Sequence, residues 1–272
     1  MRIVDVWGQM PTTRMAEASW LASLSRWTGQ SPKDYTPGPE RTLAAMDDAG
    51  VEIMLASAWY GPGGPLVSNE EVAAQIAAAP DRLKGLASAD LTRPMEAVRD
   101  IRKWVGEEGF VGVRVVPWLW NLPPNDRRYY PIYAACVELD VPFCTQIGHT
   151  GPLLSSEVGR PIPYLEDVLL EFPELKVVGG HLGFPWIPEI ISLAHKFPNF
   201  YVDTSAYAAH RFPADFIEFM KGPGSGRVMF GTNWPMLSPA QCLEGIERLG
   251  LTEKQHQTFL GDTARKVFRL QS

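Results

Sequence analysis

Short apolar runs rich in β-branched residues alternate along the chain with longer segments whose apolar positions recur at helical spacing. Eight runs read as strands: residues 2–6, 51–57, 83–88, 112–116, 142–147, 175–178, 200–203 and 227–231. Most are unbroken apolar stretches, the pattern of parallel strands covered on both faces. The segments between them carry helix starts. Pro39-Glu40-Arg41-Thr42-Leu43 opens one helix, Asn69-Glu70-Glu71-Val72 is capped by Asn69 or Ser68, and Pro163 and Ser238-Pro239 open two more. Eight strand-helix units predict a single (β/α)8 TIM barrel, one domain over residues 1–272. A doubly wound open sheet normally has about five or six strands and often a glycine-rich phosphate turn, and neither is seen. Residues 8–38, rich in Pro, Thr, Ser and Trp, predict a loop insertion after the first strand; 118–127 predict a second long loop after the fourth.

Composition narrows the function classes. A length of 272 residues suits one barrel of about 250. The net charge of -6 and the scattered Lys and Arg give no basic field, so no nucleic-acid partner is expected. The N-terminus runs straight into a strand-like stretch, and no segment nears the roughly 18 apolar residues of a membrane span. The expectation is a cytoplasmic protein without a membrane partner. Cys136, Cys144 and Cys242 are an odd number at unrelated spacings and read as reduced core thiols.

Barrels of this class place their chemistry at the carboxyl ends of the strands. That rule gathers Asp5, Trp7 and Gln9 after the first strand, Trp59 and Tyr60 after the second, and Arg114, Trp118 and Trp120 after the fourth. Gln146, His149 and Arg160 follow the fifth, His181 and Trp186 the sixth, Asp203, Tyr207 and His210 the seventh, and Asn233 and Trp234 the eighth. Six of the nine tryptophans fall on this rim. They predict a flat apolar pocket for an aromatic or unsaturated ring, with packing of the barrel mouth as the plainer reading. His149 and His181 sit beside glycines at strand ends and are candidates for acid–base work. His195 and His256 read as surface residues and His210 as a loop residue.

Several segments carry a family likeness: Gly112-Val-Arg-Val-Val-Pro117, Tyr130-Pro-Ile-Tyr133, Phe172-Pro-Glu-Leu-Lys-Val-Val178 running into Gly180-His-Leu-Gly183, and Pro198-Asn-Phe-Tyr-Val-Asp-Thr-Ser205. Val228-Met-Phe-Gly-Thr-Asn-Trp-Pro235 and Gly261-Asp-Thr-Ala-Arg-Lys-Val-Phe268 complete the series. In this order over nearly the whole chain they resemble the amidohydrolase-related group of aminocarboxymuconate-semialdehyde decarboxylase, related aromatic-acid decarboxylases and pyrone-dicarboxylate lactonase. The resemblance implies a mononuclear metal site. Its ligands are a His-x-His pair after the first strand, a histidine after the fifth and an aspartate after the eighth, and a further histidine after the sixth acts at the substrate or the metal. Here the pair is Trp7 and Gln9, the aspartate is Asn233, and the fifth-strand position falls on Gln146 or His149 according to register. His181 matches directly. Divalent metals want imidazole, thiolate or carboxylate donors, and an indole has no lone pair to offer. The expectation is therefore a site with no metal and no cofactor.

These residues and the resemblance together predict a metal-independent amidohydrolase-family hydrolase for a small aromatic or ring-derived carboxylate or lactone, in aromatic compound catabolism. His181 would be the general acid or base and His149 a second proton-transfer group or an electrophilic donor. Arg114 or Arg160 would hold a carboxylate, unless Arg114 pairs inside the barrel with Asp5 or Asp203. Gln9, Gln146 and Asn233 would donate to an oxyanion, and Trp7, Trp59, Tyr60, Trp118, Tyr207 and Trp234 would contact substrate. A decarboxylase (carboxy-lyase) of an aromatic or muconate-type acid is the first alternative, and a non-catalytic ligand-binding barrel the second. The partner is a small molecule, and the pattern leaves room for a homo-oligomer.

Overall fold

The structure is a computed structural model that describes residues 2–29 and 38–271. The strands in chain order are β1 (Ile3–Gly8), β2 (Val51–Ser57), β3 (Trp59–Gly61), β4 (Gly64–Val67), β5 (Leu83–Ala87), β6 (Gly112–Arg114), β7 (Phe143–Gln146), β8 (Val177–Gly180), β9 (Phe200–Asp203) and β10 (Val228–Met229). Eight of them pair in the order β1-β2-β5-β6-β7-β8-β9-β10, parallel throughout. Backbone hydrogen bonds close the seam between last and first. Val6 N–H donates to the Phe230 carbonyl at 3.0 Å, Asn233 N–H to Trp7 at 2.8 Å and Gln9 N–H to Trp234 at 3.0 Å. With helices between the strands, this is the (β/α)8 barrel that the sequence predicts.

Local chemistry sets the elements. Ser68, not Asn69, caps the helix Asn69–Ala78: its hydroxyl accepts from Glu71 N–H while the Glu71 carboxylate accepts from Ser68 N–H. Ser238 and Gln241 form the same reciprocal cap after β10. Inside the barrel Val4, Val6, Ile53, Leu55, Leu86, Val178 and Met229 pack together, and Ala264, Val267 and Phe268 of the C-terminal helix Thr263–Phe268 join that cluster. Cys136, Cys144 and Cys242 are buried free thiols. Among the described residues, no helix is long and apolar enough to cross a membrane.

Three departures from expectation shape the site. β1 runs to Gly8, so Trp7 is a residue of the barrel wall with no exposed surface. β3 and β4 form an antiparallel hairpin whose Gly61-Pro-Gly-Gly64 turn reads in sequence as mere punctuation. The described part of the insertion after β1 is not a loop. It folds as Thr13–Ala16, a 3-10 turn at Ser19–Leu21 and the helix Ala22–Thr28; residues 30–37 of it lie outside the described residues.

Candidate active site

His181 follows directly on β8, with φ at +71°, and Leu182 continues at +58°. Such left-handed conformations are uncommon for residues with a side chain and concentrate at functional sites. The turn brings the His181 ring over the neighbouring strand end. Its Nδ1 lies 2.6 Å from the Ser205 hydroxyl, its backbone N–H donates to the same oxygen at 3.3 Å, and that hydroxyl in turn donates to Asp203 Oδ1 through a short hydrogen bond. Ser205 N–H also donates to Asp203 Oδ1, at 2.9 Å. Nε2 has no partner among the described residues and opens onto a cavity. Burial, then the positive charge of Arg114, push the imidazole down to about 3, whereas burial raises Asp203 to about 6.

The layer beneath is built around Arg114. The guanidinium is fully buried, lies 3.8 Å from the Trp7 ring centroid and donates to the carbonyls of Val6 (2.8 Å) and Gly8 (3.3 Å). A desolvated cation over an indole gains about 2 kcal/mol, part of what offsets its burial. Arg114 forms an ion pair with neither Asp5 nor Asp203 and does not line the cavity, so it is not the carboxylate clamp that its strand position predicts. Asp5 ties β1 to the loop after β10: it accepts from the Trp7 and Thr232 N–H groups, both at 3.0 Å, and from the Thr232 hydroxyl at 2.6 Å. His181 also lies against Trp7, tilted to it and at 4.8 Å between centroids.

Above His181 is a cavity of about 250 Å³. Gln9, Gln146, His149, His181, Asn233, Trp59, Trp118 and Tyr207 all reach it, as their strand-end positions predict. Gln146 is held by accepting from Trp118 Nε1 at 2.6 Å and donating to the His149 carbonyl at 3.1 Å; Gln9 Nε2 donates to Asn233 Oδ1 at 3.0 Å. Trp7, Tyr60, Arg160 and Trp234 are not brought into the cavity. Trp234 instead donates to the Thr42 hydroxyl at 3.0 Å, and Arg160 pairs with Glu189 on the surface at 3.0 Å. Sequence reasoning missed the insertion side of the wall, above all Trp20, Leu24 and Trp27, and it missed Arg211. Trp20 meets Trp118 edge-on at 5.1 Å, and Trp27 stacks on His149 at 5.9 Å. The signal was present: two tryptophans inside an insertion that must lie over the barrel mouth.

An imidazole facing an aromatic cavity at the carboxyl end of a (β/α)8 barrel is the layout of an enzyme's active site. The chain belongs to the amidohydrolase family (Amidohydro_2), matched over residues 22–270. It is 26% identical to gamma-resorcylate decarboxylase of Rhodococcus jostii over 255 residues, 75% of each chain. Its fold is similar to an uncharacterised TIM-barrel protein of Bordetella bronchiseptica, with a TM-score of 0.84, 26% identity and 99% of each chain covered. It is also similar to a dihydroxybenzoic acid decarboxylase of a Polaromonas species with bound manganese and the inhibitor 2-nitroresorcinol (TM-score 0.75, 20% identity, 99% and 97% covered).

That manganese overturns the expectation of a site without a cofactor, since a neighbour of this fold binds a divalent metal. The donors of this chain nevertheless do not match such an ion. Among the described residues no three His, Cys, Asp or Glu side chains group as a metal would need. Gln9 offers a buried amide oxygen with no partner, and Asn233 Oδ1 already accepts from Gln9.

Proposed function

We propose that the chain is a carboxy-lyase that decarboxylates a small hydroxylated aromatic acid, with His181 as the proton-transfer group. This reading replaces the hydrolase expectation, because the relatives that the chain resembles are named as decarboxylases of aromatic acids. One observation carries it: His181 faces a slot walled by Trp20, Trp27, Trp59 and Trp118 and rimmed by Arg211. A flat ring fits such walls. Arg211 forms no side-chain hydrogen bond or ion pair among the described residues, so its fork of donors is available to a carboxylate. Gln9, Gln146 and Asn233 offer neutral contacts to ring hydroxyls.

The step needs little else. A proton passes from His181 Nε2 to the ring carbon that bears the carboxylate. The bond from that carbon to the carboxylate then breaks, its electron pair restores the aromatic ring, and carbon dioxide leaves. A hydroxyl beside the carboxylate raises the electron density where the proton must land. The test is a panel of hydroxybenzoates and lactones, assayed with manganese supplied, following both carbon dioxide and organic product. Carbon dioxide from a hydroxybenzoate, falling about 100-fold or more in His181→Ala, is the expected result. Lactone opening without carbon dioxide would refute the reading.

A further inference from the structure

We propose that Asp203 and Ser205 form a relay behind His181, so that the proton which Nε2 hands to the substrate is replaced through Nδ1 from Asp203 and the ring stays neutral throughout. Asp203 is thus the proton store and Ser205 the positioning residue between. The proposal rests on the decarboxylase reading for the identity of the acceptor, but the hydrogen bonds that carry it do not.

Ser205 has one hydroxyl proton, and its oxygen lies within hydrogen-bond distance of both Asp203 Oδ1 and His181 Nδ1. With Asp203 ionised, that proton goes to the carboxylate. Nδ1–H must then donate to Ser205, and Nε2 faces the cavity as a lone pair. With Asp203 protonated, the whole chain reverses. Asp203 donates to Ser205, Ser205 donates to Nδ1, and Nε2 carries the proton. Moving from the second arrangement to the first delivers one proton from Nε2, leaves Asp203 ionised and never charges the ring. Atoms and charge balance.

The surroundings favour this route over an imidazolium. His181 is buried above Arg114, whose positive charge opposes a second one. Asp203 is buried too, and its Oδ2 has no partner; Arg114 spends its bonds on the carbonyls of Val6 and Gly8 instead. An ionised carboxylate with one orphaned oxygen is costly, so Asp203 readily holds a proton. Cys144 and Asp5 are the other titratable groups whose charges bear on this layer, and burial keeps both toward their neutral forms.

The test reads the tautomer of His181 from its ring nitrogen shifts in histidine-labelled protein at pH 5 and pH 8, with His181→Gln identifying the signal. The unmodified protein is expected to show the Nδ1–H form at pH 8, where Asp203 is ionised, and the Nε2–H form at pH 5, where it holds its proton. Ser205→Ala should switch the pH 8 form to Nε2–H and lower kcat about tenfold or more while KM moves less than about threefold. Ser205→Thr, which keeps the hydroxyl, should restore both. The same tautomer at pH 5 and pH 8 in the unmodified protein, or a Ser205→Ala variant with the original tautomer and kcat, would overturn the relay. Should the protein decarboxylate nothing, the tautomer decides alone: the expected switch upholds the relay while the functional reading falls.

Discussion

Single side chains divide into those that carry charge inside the barrel and those that meet the cavity. Asp5 belongs to the first group, and burial lifts it from the usual 3.8 to about 7. The unfolded chain therefore gives up this proton first. The stability Asp5 lends is whole below about pH 4 and is lost as the pH rises through about 7. Asp5→Asn, which cannot titrate, should show this directly: the difference in melting temperature between native protein and variant is expected to shrink from pH 4 to pH 7. A constant difference would show that Asp5 titrates alike in both states. Arg211 belongs to the second group. Arg211→Gln should raise KM for an aromatic acid roughly tenfold to hundredfold, the loss of a charge-assisted hydrogen bond, with kcat little altered. An unchanged KM would remove Arg211 from substrate recognition. The sequence made His181, Gln9, Gln146 and Asn233 legible because strand ends of a barrel converge on one rim. It could not resolve Arg114, since whether a residue of a three-residue strand points up or into the barrel depends on its register. Arg211 was hidden differently, in a 3-10 turn (Ala209–Arg211) that no strand-end rule reaches.

Elements add precision that separate residues lack. The insertion after β1 is fixed by contacts from several directions. Ser23 donates to the Gly151 carbonyl at 2.6 Å, Leu153 N–H to Trp20 at 3.2 Å, and Arg14 pairs with Glu71 at 2.5 Å. Trp20→Ala is expected to weaken binding of aromatic acids more than it lowers the melting temperature, because Trp20 is only partly buried, whereas Met15 and Leu21 anchor the insertion in the main core; a collapse of the fold with Trp20→Ala would show that Trp20 is itself a core residue. The end of β8 is held differently. A Cβ on Gly180 would lie 2.3 Å from Trp7 Cζ3 and 2.6 Å from Cε3, atoms of a rigid ring. Gly180→Ala should therefore cost about 1–3 kcal/mol of stability in denaturant unfolding and displace the ring on which His181 rests. A neutral substitution would mean that Trp7 is free to move. The sequence revealed the element types because unalternating apolar runs and capping residues announce them. It left the hairpin β3–β4 and the helical insertion unread, since glycine, proline and tryptophan over short spans give no period.

For the whole molecule, eight strand-helix units closed by the β10–β1 seam bring residues from across the chain onto one cavity. That arrangement, with its family, makes the chain an amidohydrolase-type enzyme, and the aromatic cavity over His181 turns the proposal toward decarboxylation. The metal shows where sequence logic overreached. Unusual side chains at ligand positions describe the donors of this chain, but they do not decide what an enzyme of this fold uses. The most direct test is proton nuclear magnetic resonance of the product formed from a hydroxybenzoate in deuterium oxide, with manganese present. The account predicts a phenol with one deuterium at the carbon that bore the carboxylate, formed by the native protein and lost in His181→Ala. A ring that keeps its carboxylate across the hydroxybenzoates, or equal deuteration by His181→Ala, would contradict it.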